Sequence, residues 1–188
     1  MGKTDLTKEL ERQLWNHTKK RGTFGCFEIT IGWYGKERVD YMTYDTKGIW
    51  RCYEIKTSKS DFYSGAINSF IGHYNYYLMP RKLYKEVMED IPSYVGVYIP
   101  EAKKLSSIKN AKKQELKVDK EILKDSMIRS LYRESEKVIS NNDVLEIEGL
   151  RKELSKAKTK AYKNYKQHMD LLSKLYNKYG EDWKKDLN

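Results

Sequence analysis

The stretch Val39-Asp40-Tyr41-Met42-Thr43-Tyr44-Asp45-Thr46-Lys47-Gly48-Ile49-Trp50-Arg51-Cys52-Tyr53-Glu54-Ile55-Lys56 decides how the rest of the chain is read. Both flanks are rich in the β-branched and aromatic residues that favour strands, and Asp45-Thr46-Lys47-Gly48 between them consists of turn formers. A β-hairpin follows. Side chains alternate along a strand, so Glu54 and Lys56 share one face while Tyr53 and Ile55 share the other. The hairpin brings Asp40 beside Glu54, which gathers two carboxylates and one ammonium in one place.

Two carboxylates on rigid strands offer hard oxygen ligands to a divalent cation such as magnesium. A lysine beside them can orient the water that attacks a phosphate or neutralise the charge that develops on it. The same three residues also suit a cross-strand ion pair on a solvated face, so spacing alone leaves both readings open.

The pattern extends beyond these residues, to Phe27-Glu28-Ile29-Thr30, Arg38-Val39-Asp40, Glu54-Ile55-Lys56-Thr57-Ser58-Lys59-Ser60-Asp61-Phe62 and Tyr76-Tyr77-Leu78-Met79-Pro80. Together these segments resemble the PD-(D/E)XK nuclease superfamily, and in particular its MmcB-like DNA-repair branch, over roughly the first half of the chain. Val39 stands where the superfamily's name has proline. The resemblance implies an α/β fold: a restriction-endonuclease-like mixed sheet flanked by helices. It also implies a magnesium-dependent nuclease that hydrolyses DNA phosphodiester bonds, with manganese able to substitute. Asp40 and Glu54 would coordinate the metal, the Ile55 carbonyl would add a ligand, and Lys56 would orient or activate water. Relatives often supply one further acid from the first helix, for which Glu11 is the better match and Glu9 the alternative. Glu28 matches a glutamate that recurs just before the aspartate strand. DNA repair, recombination and the processing of phage or mobile-element DNA are the settings such a reaction suits.

Composition agrees with a polyanionic partner. The 188 residues carry a formal charge of +10 and a pI near 9.3, which favours nucleic acid, DNA or RNA, or another anionic surface. No apolar run approaches the roughly 18 residues that span a membrane, and the N-terminus lacks the apolar stretch of a signal peptide. A cytoplasmic setting is expected. Cys26 and Cys52 have no metal-ligand spacing and read as small buried hydrophobes, on strands near enough to bring them within reach of oxidation.

Leu6, Leu10 and Leu14 predict a first helix from Thr4 to about Lys19. Thr23 to Trp33 reads as a strand in which Phe27, Ile29 and Ile31 alternate with Glu28 and Thr30. After Lys56, Thr57-Ser58-Lys59-Ser60-Asp61 is a capping-rich turn into a helix from about Ser60 to Phe70. Ser58 and Asp61 shape that turn, and Lys59 is placed to grip a phosphate. Tyr74 to Met79 predicts a strand, Arg81 to Met88 a short helix, and Tyr94 to Ile99 a last strand. His73, alone before its strand, is read as structural.

The composition changes after Pro100. Residues 101–188 hold 22 basic and 15 acidic side chains, against 15 and 12 in residues 1–100, and no further proline occurs. The reading is a nuclease-like core over residues 1–100 and a basic helical extension over 101–188. Its two long helices would run from Glu101 to Ile139 and from Asp143 to Tyr179. Ile147, Leu150, Leu154, Ala157 and Ala161 recur at steps of three and four, as in a coiled-coil seam, so the second helix would fold back as a hairpin or form a homodimer. Lys152, Lys156, Lys160 and Lys163 lie on or near one face and form a candidate DNA clamp. A catalytically inactive nuclease-fold module that binds nucleic acid or a protein is the alternative function.

Overall fold

The computed structural model describes residues 4–180, apart from 36, 65–68, 103 and 142–143. Helix α1 (Asp5–Thr18) starts where its sequence places it: Thr4 Oγ1 accepts the Thr7 amide at 3.2 Å, satisfying one of the free N–H groups of the first turn. Strands β1 (Thr23–Thr30), β2 (Arg38–Asp45) and β3 (Trp50–Ile55) then form an antiparallel meander. In the β2–β3 turn Asp45 Oδ1 accepts the amides of Lys47 and Ile49, at 3.0 and 3.1 Å, and Gly48 takes a φ of +80° that other residues resist.

The chain continues through α2 (Lys59–Phe62), β4 (Tyr74–Leu78), α3 (Arg81–Val87), a short 3₁₀ turn at Met88–Asp90, β5 (Gly96–Glu101) and β6 (Lys104–Lys109). Strands β3, β4 and β5 are parallel, β6 is antiparallel to β5, and the sheet order is sequential from β1 to β6. The protein is therefore α/β, a six-stranded mixed sheet with flanking helices and a long C-terminal helix, as the sequence leads one to expect.

Register explains the two sheet faces. One row joins Cys26, Met42, Cys52 and Asn75 across four strands, and the next joins Tyr44 with Trp50. All of these but Asn75, which bonds the Gly72 backbone, pack with Ile71, Leu123 and Met127. Farther along the sheet, Tyr77 and Val97 pack with Leu83, Val87 and Ile91 from the α3 region. The alternate row, Phe27, Tyr41, Tyr53 and Tyr76, is aromatic throughout, with ring centroids 4.3, 5.7 and 5.2 Å apart. It is covered by Leu10 and Leu14 of α1. Four of the sixteen tyrosines, Tyr41, Tyr53, Tyr76 and Tyr98, are thus gathered on one sheet face, where each aromatic pair adds about 0.5–1.5 kcal/mol beyond its area burial.

Several expectations are corrected. The helix predicted from Glu101 is instead strand β6, an extended run, and then α4 (Lys120–Asn141). The boundary expected near residue 100 falls inside strand β5, where Pro100 pairs with Leu105 of β6, and the compact unit runs from Met1 to Ser135. Lysines at both ends of β6 hid it, although charge is the usual protection of an edge strand. Leu123 and Met127 of α4, assigned to the tail by composition, are core residues. The helix expected over Ser60 to Phe70 ends at Phe62, and Phe70 and Ile71 are buried outside any helix; residues 65–68 of the expected helix lie outside the described residues. Cys26 and Cys52 form no disulfide with one another and are not adjacent, because Met42 of β2 stands between them. Two strand spacings of about 4.8 Å exceed the roughly 7 Å Cα limit for a disulfide.

The second unit runs from Glu136. Its helix α5 (Val144–Tyr179) has 36 residues, about 54 Å at 1.5 Å per residue. Leu150, Leu154, Tyr162, Tyr165 and Met169 are exposed along it. Among the described residues no helix is long and apolar enough to cross a membrane.

Candidate active site

The β2–β3 ladder runs from Tyr44↔Trp50 to Tyr41↔Tyr53. One residue further in the same register, Asp40 lies opposite Glu54, and here a side chain takes over from the backbone: Asp40 Oδ2 accepts the Ile55 amide at 2.9 Å. Glu54 and Lys56 are each only 4% exposed. Glu54 Oε1 accepts the Ser69 amide at 3.4 Å, and the Lys56 amide is anchored to the Leu78 carbonyl at 3.0 Å.

Burial dominates the electrostatics. It pushes the Glu54 carboxyl up to about 8, and the neighbouring Asp40 charge pushes the same way, while Lys56 and the amides of Ser69 and Asp40 pull it back. Burial likewise raises the Asp40 carboxyl above the ordinary range, against the Ile55 amide and the charges of Lys56 and Arg38. Two carboxyls that hold their protons this tightly form a site short of positive charge, which a cation would relieve.

The turn behind Lys56 is built as its sequence indicates. Ser58 Oγ accepts the Asp61 amide at 3.1 Å, and Asp61 Oδ2 accepts the Thr57 amide at 3.0 Å, a reciprocal cap in the manner of a capping box. The other Asp61 oxygen lies 4.0 Å from Lys56 Nζ. Asp61 thus joins the turn to the ammonium. Lys59 opens α2 and is exposed.

Glu28 occupies the register position opposite Asp40, with a φ of +52°. A left-handed glutamate within a strand costs of order 1–3 kcal/mol. Its consequence is visible in the packing: Phe27 joins the α1-side cluster, whereas Ile29 joins the α4-side cluster. The simple alternation expected through Phe27, Ile29 and Ile31 is therefore broken at Glu28. Arg38 Nη1 lies 4.0 Å from the Glu28 carboxylate, and Arg133 Nη2 donates to the Glu28 carbonyl at 3.0 Å. Arg38 also acts on Asp40, a link that sequence reasoning missed, as it missed Ser69, whose hydroxyl donates to the Arg38 carbonyl at 3.2 Å. A buried serine fifteen residues beyond its carboxylate leaves no trace in sequence spacing.

Not every expected ligand converges. Helix α1 packs on the face of Tyr41, Tyr53 and Ile55, and among the described residues no group of three or more His, Cys, Asp or Glu side chains is arranged to hold a metal. Asp40 and Glu54 are brought together, and Glu11 does not join them. Glu9 is bonded twice by Arg12, at 2.9 and 2.7 Å, and by Gln13 at 2.8 Å. The remaining donor set of two carboxylates and the Ile55 carbonyl is all oxygen. It suits magnesium, which keeps several waters and needs only one or two carboxylates. Of the tail lysines, Lys152, Lys156, Lys160 and Lys163 are exposed on α5. His73 has a structural part, its Nδ1 accepting the Trp50 amide at 3.0 Å.

No family model and no curated protein matches the chain. A solved structure of a protein of unknown function from Silicibacter pomeroyi shares the fold, with a TM-score of 0.59 and 18% identity. The match covers 76% of this chain and 94% of that one. The likeness is one of fold.

Proposed function

We propose that the protein is a magnesium-dependent nuclease that hydrolyses DNA phosphodiester bonds, in the manner of the PD-(D/E)XK nucleases its sequence resembles. The observation that carries this reading is the buried pairing of Asp40 with Glu54 beside an equally buried Lys56. Surface ion pairs do not bury a lysine and a glutamate to this depth, and perturbed carboxyls of this kind cluster at functional sites. Asp40, Glu54 and the Ile55 carbonyl would hold magnesium, or manganese in its place, which supplies polarisation of the scissile phosphate. Lys56 holds the attacking water or donates to the phosphate oxygen on which charge develops. Asp61 keeps the ammonium aimed into the site, and the capped turn fixes Asp61.

The test is cleavage of labelled DNA and RNA of several strand structures with magnesium, with manganese and with chelator. Asp40→Ala and Lys56→Ala each lower cleavage at least a hundredfold while the proteins stay folded and bind DNA. Equal activity in wild type and both variants sinks the assignment. Salt-sensitive binding with no turnover on any substrate would mark a binding module instead.

The DNA partner is further supported by the exposed lysines of α5, and dimerisation by its seam. That helix is unbroken through Ile147, Leu150, Leu154, Ala157 and Ala161, which fall at coiled-coil steps. Pairing with a second copy buries this stripe. Leu150→Glu together with Leu154→Glu should halve the mass measured by light scattering; a wild type already monomeric at high concentration refutes the dimer.

A further inference from the structure

On the opposite face of the sheet from Glu54, and toward the other end of β3, lies a cavity of about 250 Å³. Thr43, Arg51, Tyr53, Tyr76 and Tyr98 of the sheet line it, and His17 and Lys20 close it beside the end of α1. It contains none of the residues assigned to phosphodiester cleavage.

Its chemistry is one-sided. The guanidinium of Arg51 is about 70% buried as a side chain and uses Nη1 to reach Asp45 Oδ2 at 2.7 Å. Among the described residues no other atom accepts from its fork, and its charge acts on the hydroxyls of Tyr53, Tyr76 and Tyr98 together. The hydroxyls of Tyr76 and Tyr98 have no hydrogen-bond partner among the described residues. Thr43 Oγ1, fully buried, faces the Tyr53 hydroxyl and has no other partner among the described residues. Partly buried hydroxyls left unsatisfied cost free energy, so a partner for those of Tyr76 and Tyr98 is to be looked for. The acceptors, by contrast, are already engaged. Asp45 takes the amides of Lys47 and Ile49 as well as Arg51, and Thr18 Oγ1, whose own proton goes to the Leu14 carbonyl, accepts from the Tyr41 hydroxyl at 2.9 Å.

Free donors and occupied acceptors select an oxyanion. The tyrosine rings stack on one another, Tyr53 against Tyr76 at 5.2 Å and 16°, and His17 meets Tyr98 edge-on at 4.9 Å. Their faces are therefore taken, and hydroxyl edges are what the cavity offers. A flat base has no stacking platform here. The volume falls below the roughly 300–1,000 Å³ of drug-sized sites, which leaves room for a phosphate with a small body attached. Planar guanidinium forks and hydroxyl donors are the usual recognition of a phosphate dianion.

We propose that this cavity binds a small phosphomonoester, its phosphate held by Arg51, the Tyr76 and Tyr98 hydroxyls and Lys20. The proposal stands independently of the nuclease reading, since neither site shares a side chain with the other.

Calorimetry and amide chemical-shift mapping on the full chain test it, with ribose 5-phosphate, ribose and inorganic phosphate as probes. Ribose 5-phosphate should bind at least tenfold more tightly than ribose and shift the amides of Thr43, Arg51 and Tyr76. Inorganic phosphate binding as tightly as the ester would reduce the site to a simple anion site and overturn the ester assignment. Arg51→Gln should weaken binding at least tenfold. Because that change also frees Asp45, the paired variant Tyr76→Phe with Tyr98→Phe, which removes only two oxygens, gives the independent reading and should weaken binding several-fold. Binding unchanged by the phenylalanines, equal binding of ribose, or no shift at Thr43, Arg51 and Tyr76 refutes the site.

Discussion

Replacing Glu54 by glutamine isolates the electrostatic cost of the candidate active site. Glu54 is 4% exposed, and its carboxyl titrates near 8 in the folded protein against 4.5 for an ordinary glutamate. Below about pH 4.5 the group is protonated in both states and costs nothing. As pH rises toward 8 the unfolded chain releases its proton first, so the unfolded state gains and stability falls across that window. The full difference of about 3.5 units at about 1.4 kcal/mol each is on the order of 5 kcal/mol. Between about pH 5.5 and pH 8.5 it comes to about 3 kcal/mol. Glu54→Gln keeps shape and hydrogen bonding but cannot ionise, so its advantage over wild type should grow by about that amount over the same range. Urea unfolding at the two pH values, without divalent metal, reads it directly. Adding magnesium at the higher pH should stabilise wild type and leave the glutamine variant nearly unchanged. A stability difference that does not vary with pH refutes the argument, because Glu54 would then be ionised in the folded state at no cost.

Two further outcomes follow from the fold. Leu123→Ala, in a helix that composition assigns to the tail, removes a fully buried core side chain and should cost about 2–5 kcal/mol, measured by chemical denaturation; a change under about 0.5 kcal/mol would detach α4 from the core. Burial pushes the Cys52 thiol up to about 12, so in the native state it should resist alkylation at pH 8 for as long as the protein stays folded and react at once in denaturant, as mass spectrometry would register; rapid native labelling would refute its burial.

How much of this was legible in the sequence depends on the range of the signal. The hairpin around Gly48, the Ser58 cap and the Asp40–Glu54 juxtaposition rest on turn chemistry and period-two alternation, which act over a few residues, and all of them appear in the structure. Strand β6 was hidden because an edge strand is half solvated, and Lys104 and Lys109 look like tail residues when composition is averaged over a long window. Glu28 defeated the alternation rule through one left-handed residue, which no propensity marks in a glutamate. Ser69 reaches the site from fifteen residues beyond Glu54, outside any local pattern, whereas Arg38 acts on Asp40 from only two residues away and its link to the site through Ser69 spans thirty-one. Glu11 fails on tertiary grounds: its helix lies on the other sheet face from Glu54.

Strand β3 ties the two candidate sites to one another without mixing their chemistry. Residues Arg51 and Tyr53 project to the cavity side, and Glu54 and Lys56 belong to the carboxylate site, so six consecutive positions supply two different surfaces. Backbone hydrogen bonding holds this strand between β2 and β4, which makes it rigid, and rigid placement is what both a metal-binding carboxylate pair and a convergent set of phosphate donors require. Packing separates the sites as well: the aromatic row Tyr41, Tyr53 and Tyr76 fills the space beneath α1, while Cys52 and Met42 fill the opposite face. Changes confined to hydroxyls on one face should therefore leave the other untouched. Tyr76→Phe with Tyr98→Phe should not alter the pH at which Glu54 titrates, because additivity holds for groups without shared partners. Coupling between the two would have to pass through the β3 backbone, whose ladder bonds on both sides resist that displacement.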